Sequence, residues 1–242
     1  MQDKRFETFA DAVQDIPDGS TIMLGGFGPG TPHNLIKALY EQGAKDLTLV
    51  LNSAGTGSRP DMITASNFIE EGRCRKVIMA FTASTHPSRR SKLDEVIESR
   101  AVESELVPQG SLAERIRAGG AGIPAFYTPT GVGTQTAEGK EHRVFNGRTY
   151  VLEHALNADY AFVRVQRSDE FGNLVFRGSE RNFNPLMAMA ARTTIIETEE
   201  VVPTGSIDPN QIHTPGIYVH RIIKIPPDGI FHVSRVAAPT PS

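Results

Sequence analysis

The sequence predicts an α/β fold, in which a mostly parallel sheet is flanked by helices and carries a β-hairpin insertion. The apolar run Thr21–Leu24 is typical of a buried parallel strand, and the segment His33–Gln42 follows it with apolar residues at helical spacing. A second apolar run, 46–51, completes strand, helix and strand at the spacing of a right-handed crossover. The dipeptide Asn146-Gly147 between β-favouring flanks predicts the hairpin.

The remaining elements follow from the same two periodicities. A helix is expected over 6–13 and another over 111–118, with Ser111 as N-cap and Glu114 as its capping-box partner. The segment 123–135 is rich in Ala, Gly and Pro, so we expect a packed loop there that faces a partner chain or the rim of a site. Further strands are expected over 76–80, 104–108, 159–166, 193–197 and 218–225, and a short helix over 184–192.

Composition limits the domain organisation and the function classes. We expect one domain over residues 1–225 and a Pro-rich, weakly ordered tail over 226–242. A net charge of −3 provides no basic field for nucleic acid or an anionic lipid surface. The single cysteine, Cys74, excludes an internal disulfide framework and a multi-cysteine metal site, and the seven histidines lack metal-ligand spacing. With no long apolar run and no signal core, a cytoplasmic protein that binds no metal and no membrane is expected.

A glycine-rich loop over residues 25–32 lies between the first predicted strand and the helix that follows. Its backbone N–H groups can bind an anion, because glycine lets a ligand approach closely and a helix N-terminus attracts negative charge. The loop matches neither the P-loop, nor the dinucleotide fingerprint, nor the serine-hydrolase elbow. From the residues alone, a ligand site and a plain turn are equally open. The candidate binding residues are Gly25, Gly26, Phe27, Gly28, Pro29, Gly30 and Thr31.

Four blocks of the sequence, spread over about residues 6 to 225, resemble the family I CoA-transferases. The first block, 18–32, has the family's Asp-Gly, buried strand, Gly-Gly-Phe and Gly-x-Pro. The others resemble the A (alpha) subunit of 3-oxoacid CoA-transferases: Leu-Asn-Ser-Ala-Gly at 51–55, the long block 107–134, and parts of 158–191. The resemblance implies the CoA-transferase fold, which is sugar-phosphate-isomerase-like. This chain departs from the family at the loop, which is one residue shorter, and over 81–90, which differs from the succinyl-using members.

The resemblance also implies an enzyme of two kinds of chain, with CoA as a substrate and no permanently bound cofactor. In the family a glutamate of the B (beta) half carries CoA as a thioester, in a Glu-x-Gly context that this chain lacks in the corresponding region. The nucleophile is therefore expected on a B subunit, in an α2β2 complex. The resemblance assigns Asn52 an oxyanion-stabilising amide and the glycine-rich loop a contact with CoA. Without the resemblance, Asn52 is more simply a turn residue.

Several functions therefore stay open. The leading one is CoA transfer between an acyl-CoA, with succinyl-CoA expected, and a 3-oxo acid such as acetoacetate or 3-oxoadipate, with glutaconate also open. One alternative is a relative that hydrolyses or ring-opens a CoA thioester. Another is a non-catalytic ligand-sensing module on the same scaffold. The segment 181–184 is expected either to brace a crossover or to face the B subunit.

Overall fold

The computed structural model describes residues 3–55, 62–81 and 92–230, and a strand forms in each segment where the sequence predicts one. The helix expected over 6–13 begins only at Phe9, because Arg5 and Phe6 form a strand instead. The strands are β1 (Arg5–Phe6), β2 (Thr21–Leu24), β3 (Leu47–Leu51), β4 (Cys74–Met79), β5 (Glu103–Leu106), β6 (Ala125–Thr128), β7 (His142–Phe145), β8 (Arg148–His154), β9 (Ala158–Asp169), β10 (Leu174–Val175), β11 (Ala191–Val202) and β12 (Arg221–Lys224). The main sheet has the order β1-β12-β11-β9-β2-β3-β4-β5, with every neighbouring pair parallel, while β10 pairs antiparallel with β9. The predicted α/β fold class is confirmed.

Helices cover both faces of this sheet. They are α1 (Phe9–Val13), α2 (His33–Gln42), α3 (Ala65–Glu70), α4 (Lys92–Glu98), α5 (Gln109–Gly120) and α6 (Asn184–Ala190). One hydrophobic core packs α1 to α4 against the sheet, and a second core packs α5 and α6 against the other face. All five residues of β3 are buried, and Leu49 and Val50 belong to opposite cores. Burial on both faces explains why such strands are continuously apolar rather than alternating.

The predicted hairpin is also present, and it belongs to a second, antiparallel sheet. Strands β7 and β8 are joined by Asn146 and Gly147, whose φ angles of 49° and 76° suit a tight hairpin turn. Strand β6 pairs with the other edge of β8. The expectation of a loop throughout 123–135 is therefore wrong, because the four residues of β6 form a strand inside it.

Helix α5 begins earlier than the sequence predicts. Pro108 is its N-cap, so Ser111 lies inside the helix, where its side chain is buried. Glu114 does not cap the helix either, since its carboxylate accepts hydrogen bonds from Arg117 at 2.8 and 2.6 Å. The predicted capping box at this helix is wrong. Proline favours the first helical turn because its missing N–H needs no partner there.

The first residues of the predicted tail lie against α2. The Ile230 N–H donates to Asn34 Oδ1 at 2.8 Å, and Asn34 Nδ2 donates to the Ile230 carbonyl at 3.0 Å. The rest of the predicted tail, 231–242, is outside the described residues. No helix within the described ranges combines the length and apolar character needed to cross a bilayer.

Candidate active site

The carboxyl ends of four neighbouring strands are aligned at one edge of the main sheet. The pairing register places Leu24 of β2 beside Leu51 of β3, and Leu51 beside Met79 of β4. Met79 in turn lies beside Leu106, the last residue of β5. Open parallel sheets bind their ligands beyond this edge of the strands. The glycine-rich loop follows β2 here, and Asn52 follows β3 at the matching level.

Asn52 is the one residue at this edge that the sequence analysis assigned to catalysis, and it is almost fully buried. Its backbone carbonyl accepts a hydrogen bond from the Ala80 N–H at 3.0 Å, which fixes the main chain beside β4. Its side-chain Nδ2 is buried and has no hydrogen-bond partner within the described part of the chain. A buried donor without an acceptor costs about 1–3 kcal/mol, so it normally indicates a strained or functional group. An N–H donor held ready in this way can stabilise an oxyanion that forms beside it.

Gln109 holds the Asn52 carboxamide in its orientation. Gln109 Nε2 donates to Asn52 Oδ1 at 2.6 Å, which leaves the Nδ2 end of the carboxamide as its free donor. Gln109 is the first residue of α5 and is exposed, so the site opens to the exterior on this side. No sequence pattern had assigned Gln109 a role. Its position in the long block 107–134, directly after β5, is the signal that could have found it.

Two positions of the glycine-rich loop leave no space for a side chain. A Cβ at Gly25 would lie 1.9 Å from Asn184 Oδ1, and a Cβ at Gly30 would lie 2.6 Å from the Glu180 carbonyl oxygen. Gly30 also has a φ angle of 77°, which L side chains rarely adopt. The loop therefore depends on glycine for close packing against the start of α6.

Two asparagines from the segment 181–184 brace this loop. Asn184, which is fully buried, donates from Nδ2 to the carbonyls of Gly30 at 3.1 Å and Glu180 at 2.7 Å. Asn182 Nδ2 donates to the Pro29 carbonyl at 2.9 Å. The sequence predicts that this segment either braces a crossover or faces the B subunit. Its contact with the glycine-rich loop is a third role that neither prediction names.

Two backbone N–H groups of the loop are bonded within the chain. The Gly25 N–H bonds the Phe162 carbonyl at 2.9 Å, and the Phe27 N–H bonds the Pro29 carbonyl at 3.1 Å. The N–H groups of the other three glycines, Gly26, Gly28 and Gly30, have no acceptor among the residues that the structure describes. The Phe27 side chain is half exposed and forms an apolar surface next to them. Polar donors beside an exposed ring suit a ligand with both polar and apolar parts.

The N-terminus of α2 is occupied by a carboxylate of the chain itself. Glu197 of β11 accepts hydrogen bonds from the Leu35 N–H at 3.0 Å and from Asn34 Nδ2 at 3.1 Å. Burial raises the pKa of Glu197 to about 7, while the charge of Arg164, 3.0 Å away, acts in the opposite direction. Because this carboxylate already occupies the positive end of α2, an anion at the loop depends on the loop's own N–H groups. No sequence pattern pointed to Glu197, which lies inside a strand and far along the chain from α2.

Known proteins resemble this chain over most of its length. The family described as "Coenzyme A transferase" matches residues 6–224. The chain is 47% identical over 226 residues to the A subunit of the 3-oxoadipate CoA-transferase of Pseudomonas putida, covering 93% of this chain and 95% of that one. It is 46% identical over 218 residues to the A subunit of the succinyl-CoA:3-ketoacid coenzyme A transferase of Helicobacter pylori (strain J99), covering 88% of each chain.

A solved structure shows the same fold. The acyl-CoA transferase of E. coli O157:H7, solved as a thioester complex with CoA, superimposes with a TM-score of 0.77 at 21% identity. The match covers 95% of this chain and 48% of that longer one. The family match over nearly the whole length and the near-half identity to two A subunits lead to one conclusion: the chain belongs to the coenzyme A transferase family, among its A-subunit members.

Proposed function

We propose that this chain is the A subunit of an enzyme that transfers CoA between succinyl-CoA and a 3-oxo acid, either acetoacetate or 3-oxoadipate. The observation that carries the proposal is the buried Nδ2 of Asn52 at the carboxyl edge of the sheet, which has no acceptor among the described residues. The two relatives support the substrate class, since one is named for 3-oxoadipate and the other for succinyl-CoA and 3-ketoacids.

Transfer between two carboxylates needs a covalent carrier, which we assign to a glutamate of the B subunit. Its carboxylate attacks the acyl-CoA carbonyl, and the tetrahedral oxyanion collapses to an acyl-glutamyl anhydride and the CoA thiolate. The thiolate then attacks the glutamyl carbonyl and expels the first acid, which leaves a glutamyl-CoA thioester. The acceptor acid reverses both steps. Each tetrahedral species carries an oxyanion, and Asn52 Nδ2, oriented by Gln109, is its donor on this chain.

The glycine-rich loop is assigned to CoA itself. The donors that we assign toward a phosphate or an amide carbonyl of the pantetheine arm are the N–H groups of Gly26, Gly28 and Gly30, of which Gly28 is exposed. The exposed Phe27 ring offers contact to the apolar parts of the same arm. The loop follows β2 beside Asn52 at the sheet edge, so the CoA contact and the oxyanion donor assigned to this chain lie at the same edge.

The proposal includes an α2β2 assembly in the cytoplasm, with no metal and no permanently bound cofactor. A partner chain is required because the nucleophile is absent from the corresponding region here. The single cysteine, Cys74, is buried and free, which is in keeping with a reducing compartment.

The test is reconstitution with the B subunit and an assay with succinyl-CoA and each 3-oxo acid. We expect ping-pong kinetics, transfer only when both chains are present, and a CoA thioester on a B-subunit glutamate that mass spectrometry detects. Release of free CoA at the same rate without an acceptor acid would instead show a thioester hydrolase. Ligand binding without turnover under any condition would show a sensing module.

A further inference from the structure

The small antiparallel sheet has an open face of aromatic and arginine side chains, which we call the aromatic–arginine face. Cross-strand partners share one face of a sheet, and the pairs here are Tyr127 with Leu152, Arg143 with Tyr150, and Phe145 with Arg148. On the opposite face, Val151 and Glu153 of β8 are buried, whereas Val144 of β7 is exposed. The aromatic–arginine face therefore consists of Tyr127, Arg143, Phe145, Arg148, Tyr150 and Leu152.

The side chains of this face are already arranged against one another. The Phe145 ring makes edge-on contacts with Tyr127 and Tyr150, at centroid distances of 5.2 and 5.4 Å. The Arg143 guanidinium lies 5.9 Å from the centroids of Tyr127 and Phe145, and Arg148 lies 5.9 Å from that of Tyr150. Phe145 is nevertheless 41% exposed. A preorganised cluster of Tyr, Phe and Arg loses little side-chain entropy on binding, and these residue types are enriched at interface cores.

The charge of this face favours one kind of occupant. Neither Arg143 nor Arg148 forms an ion pair with a carboxylate in the described part of the chain, although the whole chain is net negative. The neighbouring acid, Glu141, is engaged by the Tyr127 hydroxyl. A second copy of this chain would bring four arginines together across a twofold axis, and like charges in an interface cost several kcal/mol. A partner with carboxylates on an apolar surface fits instead.

The aromatic–arginine face is rigidly tied to the helix that begins at the site. Arg115 of α5 is buried, and its Nε donates to the His154 carbonyl of β8 at 2.7 Å. Its NH1 group donates to Glu105 of β5 at 2.6 Å. These bonds link the small sheet, α5 and the main sheet, and α5 starts with Gln109 in the site. A partner held on this face is therefore held in a fixed position relative to Asn52.

We propose that the aromatic–arginine face is a docking surface for the B subunit, which covers Phe145 with apolar side chains and pairs Arg143 and Arg148 with carboxylates. This inference rests on the proposed function, because that function requires a B subunit. It identifies the surface through which the partner chain is held, and this surface is separate from the oxyanion donor itself.

The test uses the A and B subunits co-expressed as full chains. One variant is Phe145→Ser, and a second is Arg143→Glu with Arg148→Glu, which reverses charge without removing an aromatic ring. The matched control is Val144→Ser, because Val144 is the neighbour of Phe145 on the opposite face of β7 and is 62% exposed. Dissociation on dilution is followed by analytical ultracentrifugation, and circular dichroism checks the fold of each complex.

We expect both variants to raise the dissociation constant of the A and B subunits at least about tenfold, as loss of interface hot spots does. The dissociation constant of Val144→Ser should stay within about twofold of wild type. Wild-type dissociation for both variants would overturn the proposal. A variant complex that keeps the A and B subunits at 1:1 but has half the wild-type mass would also overturn the proposal. The face would then join two A subunits. CoA transfer is measured on the wild-type complex separately. If the wild-type complex transfers CoA but the variants bind the B subunit normally, only the docking surface is refuted. If the variants bind the B subunit weakly but the wild-type complex transfers no CoA, only the proposed function is refuted.

Discussion

Gln109 Nε2 lies 2.6 Å from Asn52 Oδ1, so an exposed residue at the start of α5 orients a buried carboxamide at the end of β3. The contact joins two segments that are 57 residues apart in the chain. It determines which end of the Asn52 amide is free at the sheet edge. A donor is of use to an oxyanion only if the Nδ2 end is the free one.

The first prediction concerns this orientation. A carboxylate at position 109 cannot donate, so in Gln109→Glu the Asn52 amide rotates and its Nδ2 bonds the new acid. We expect kcat to fall on the order of 10²-fold, as when one oxyanion donor is lost. Gln109→Met removes the hydrogen bond but offers Asn52 no acceptor that would turn its amide around. We expect a clearly smaller fall in kcat for this variant. Steady-state kinetics on the reconstituted complex measure both.

A double variant checks that the two residues act as one unit. Asn52→Ala combined with Gln109→Glu should be no slower than the worse single variant, because the same donor is lost in each. Multiplicative effects of the two substitutions would mean that Gln109 acts independently of Asn52, and the positioning role would be wrong.

The second prediction concerns the close packing of the glycine-rich loop. Gly30→Ala places a methyl group 2.6 Å from the Glu180 carbonyl, whereas Gly28→Ala meets nothing within 4 Å, and both positions have positive φ angles. Gly28→Ala therefore measures backbone strain alone, about 1 kcal/mol. We expect Gly30→Ala to raise the KM for acyl-CoA at least about tenfold more than Gly28→Ala does, since displacement of the loop moves its N–H donors by a large fraction of a hydrogen-bond length. Equal KM values for the two variants would remove the loop from CoA binding.

The third prediction concerns pH and a histidine remote from the site. His220 Nδ1 accepts the Thr194 N–H at 3.0 Å, and burial, together with the charges of Lys4 and Arg221, lowers the His220 pKa. The unfolded chain therefore binds a proton more readily than the folded one, and stability falls as pH decreases below the ordinary histidine value of about 6.5. The expected loss is below about 1 kcal/mol, the net value of the bond that protonation removes, because solvent screens the exposed ring.

In His220→Asn the amide oxygen can accept the same N–H at every pH. The variant should unfold near the wild-type temperature at pH 7.5 and lose less stability than wild type between pH 7 and 5. Thermal unfolding of both complexes over this range measures the difference. Identical pH profiles would mean that His220 makes no contribution to acid sensitivity.

The sequence predicts those elements whose structure depends on residues close together in the chain. The expected bounds of β2 and α2 agree with the structure, and Gly43 ends α2 with a φ angle of 96°. The hairpin turn at 146–147 is equally local, because two residues of positive φ determine it. Apolar periodicity and turn chemistry act within a few residues, so one segment contains the whole signal.

Contacts between distant segments could not be predicted in this way. Glu197 meets the Leu35 N–H across 162 residues of chain, and Asn184 reaches Gly30 across 154. Nothing in the flanking sequence of either residue indicates these partners. Asn52 itself was identified through the family resemblance, while its free Nδ2 and its bond to Gln109 became apparent only in the folded chain.

The most direct test of the account is the rate of CoA-thioester formation on the B-subunit glutamate with Asn52→Ala in the reconstituted complex. We expect kcat to fall on the order of 10²–10³-fold with little change in KM, because the oxyanion contact is made mainly in the transition state. The unfolding temperature should stay at or slightly above that of wild type, since the substitution removes a buried donor that has no acceptor among the described residues. A kcat within threefold of wild type, together with a lowered unfolding temperature, would contradict the account and identify Asn52 as a structural turn residue.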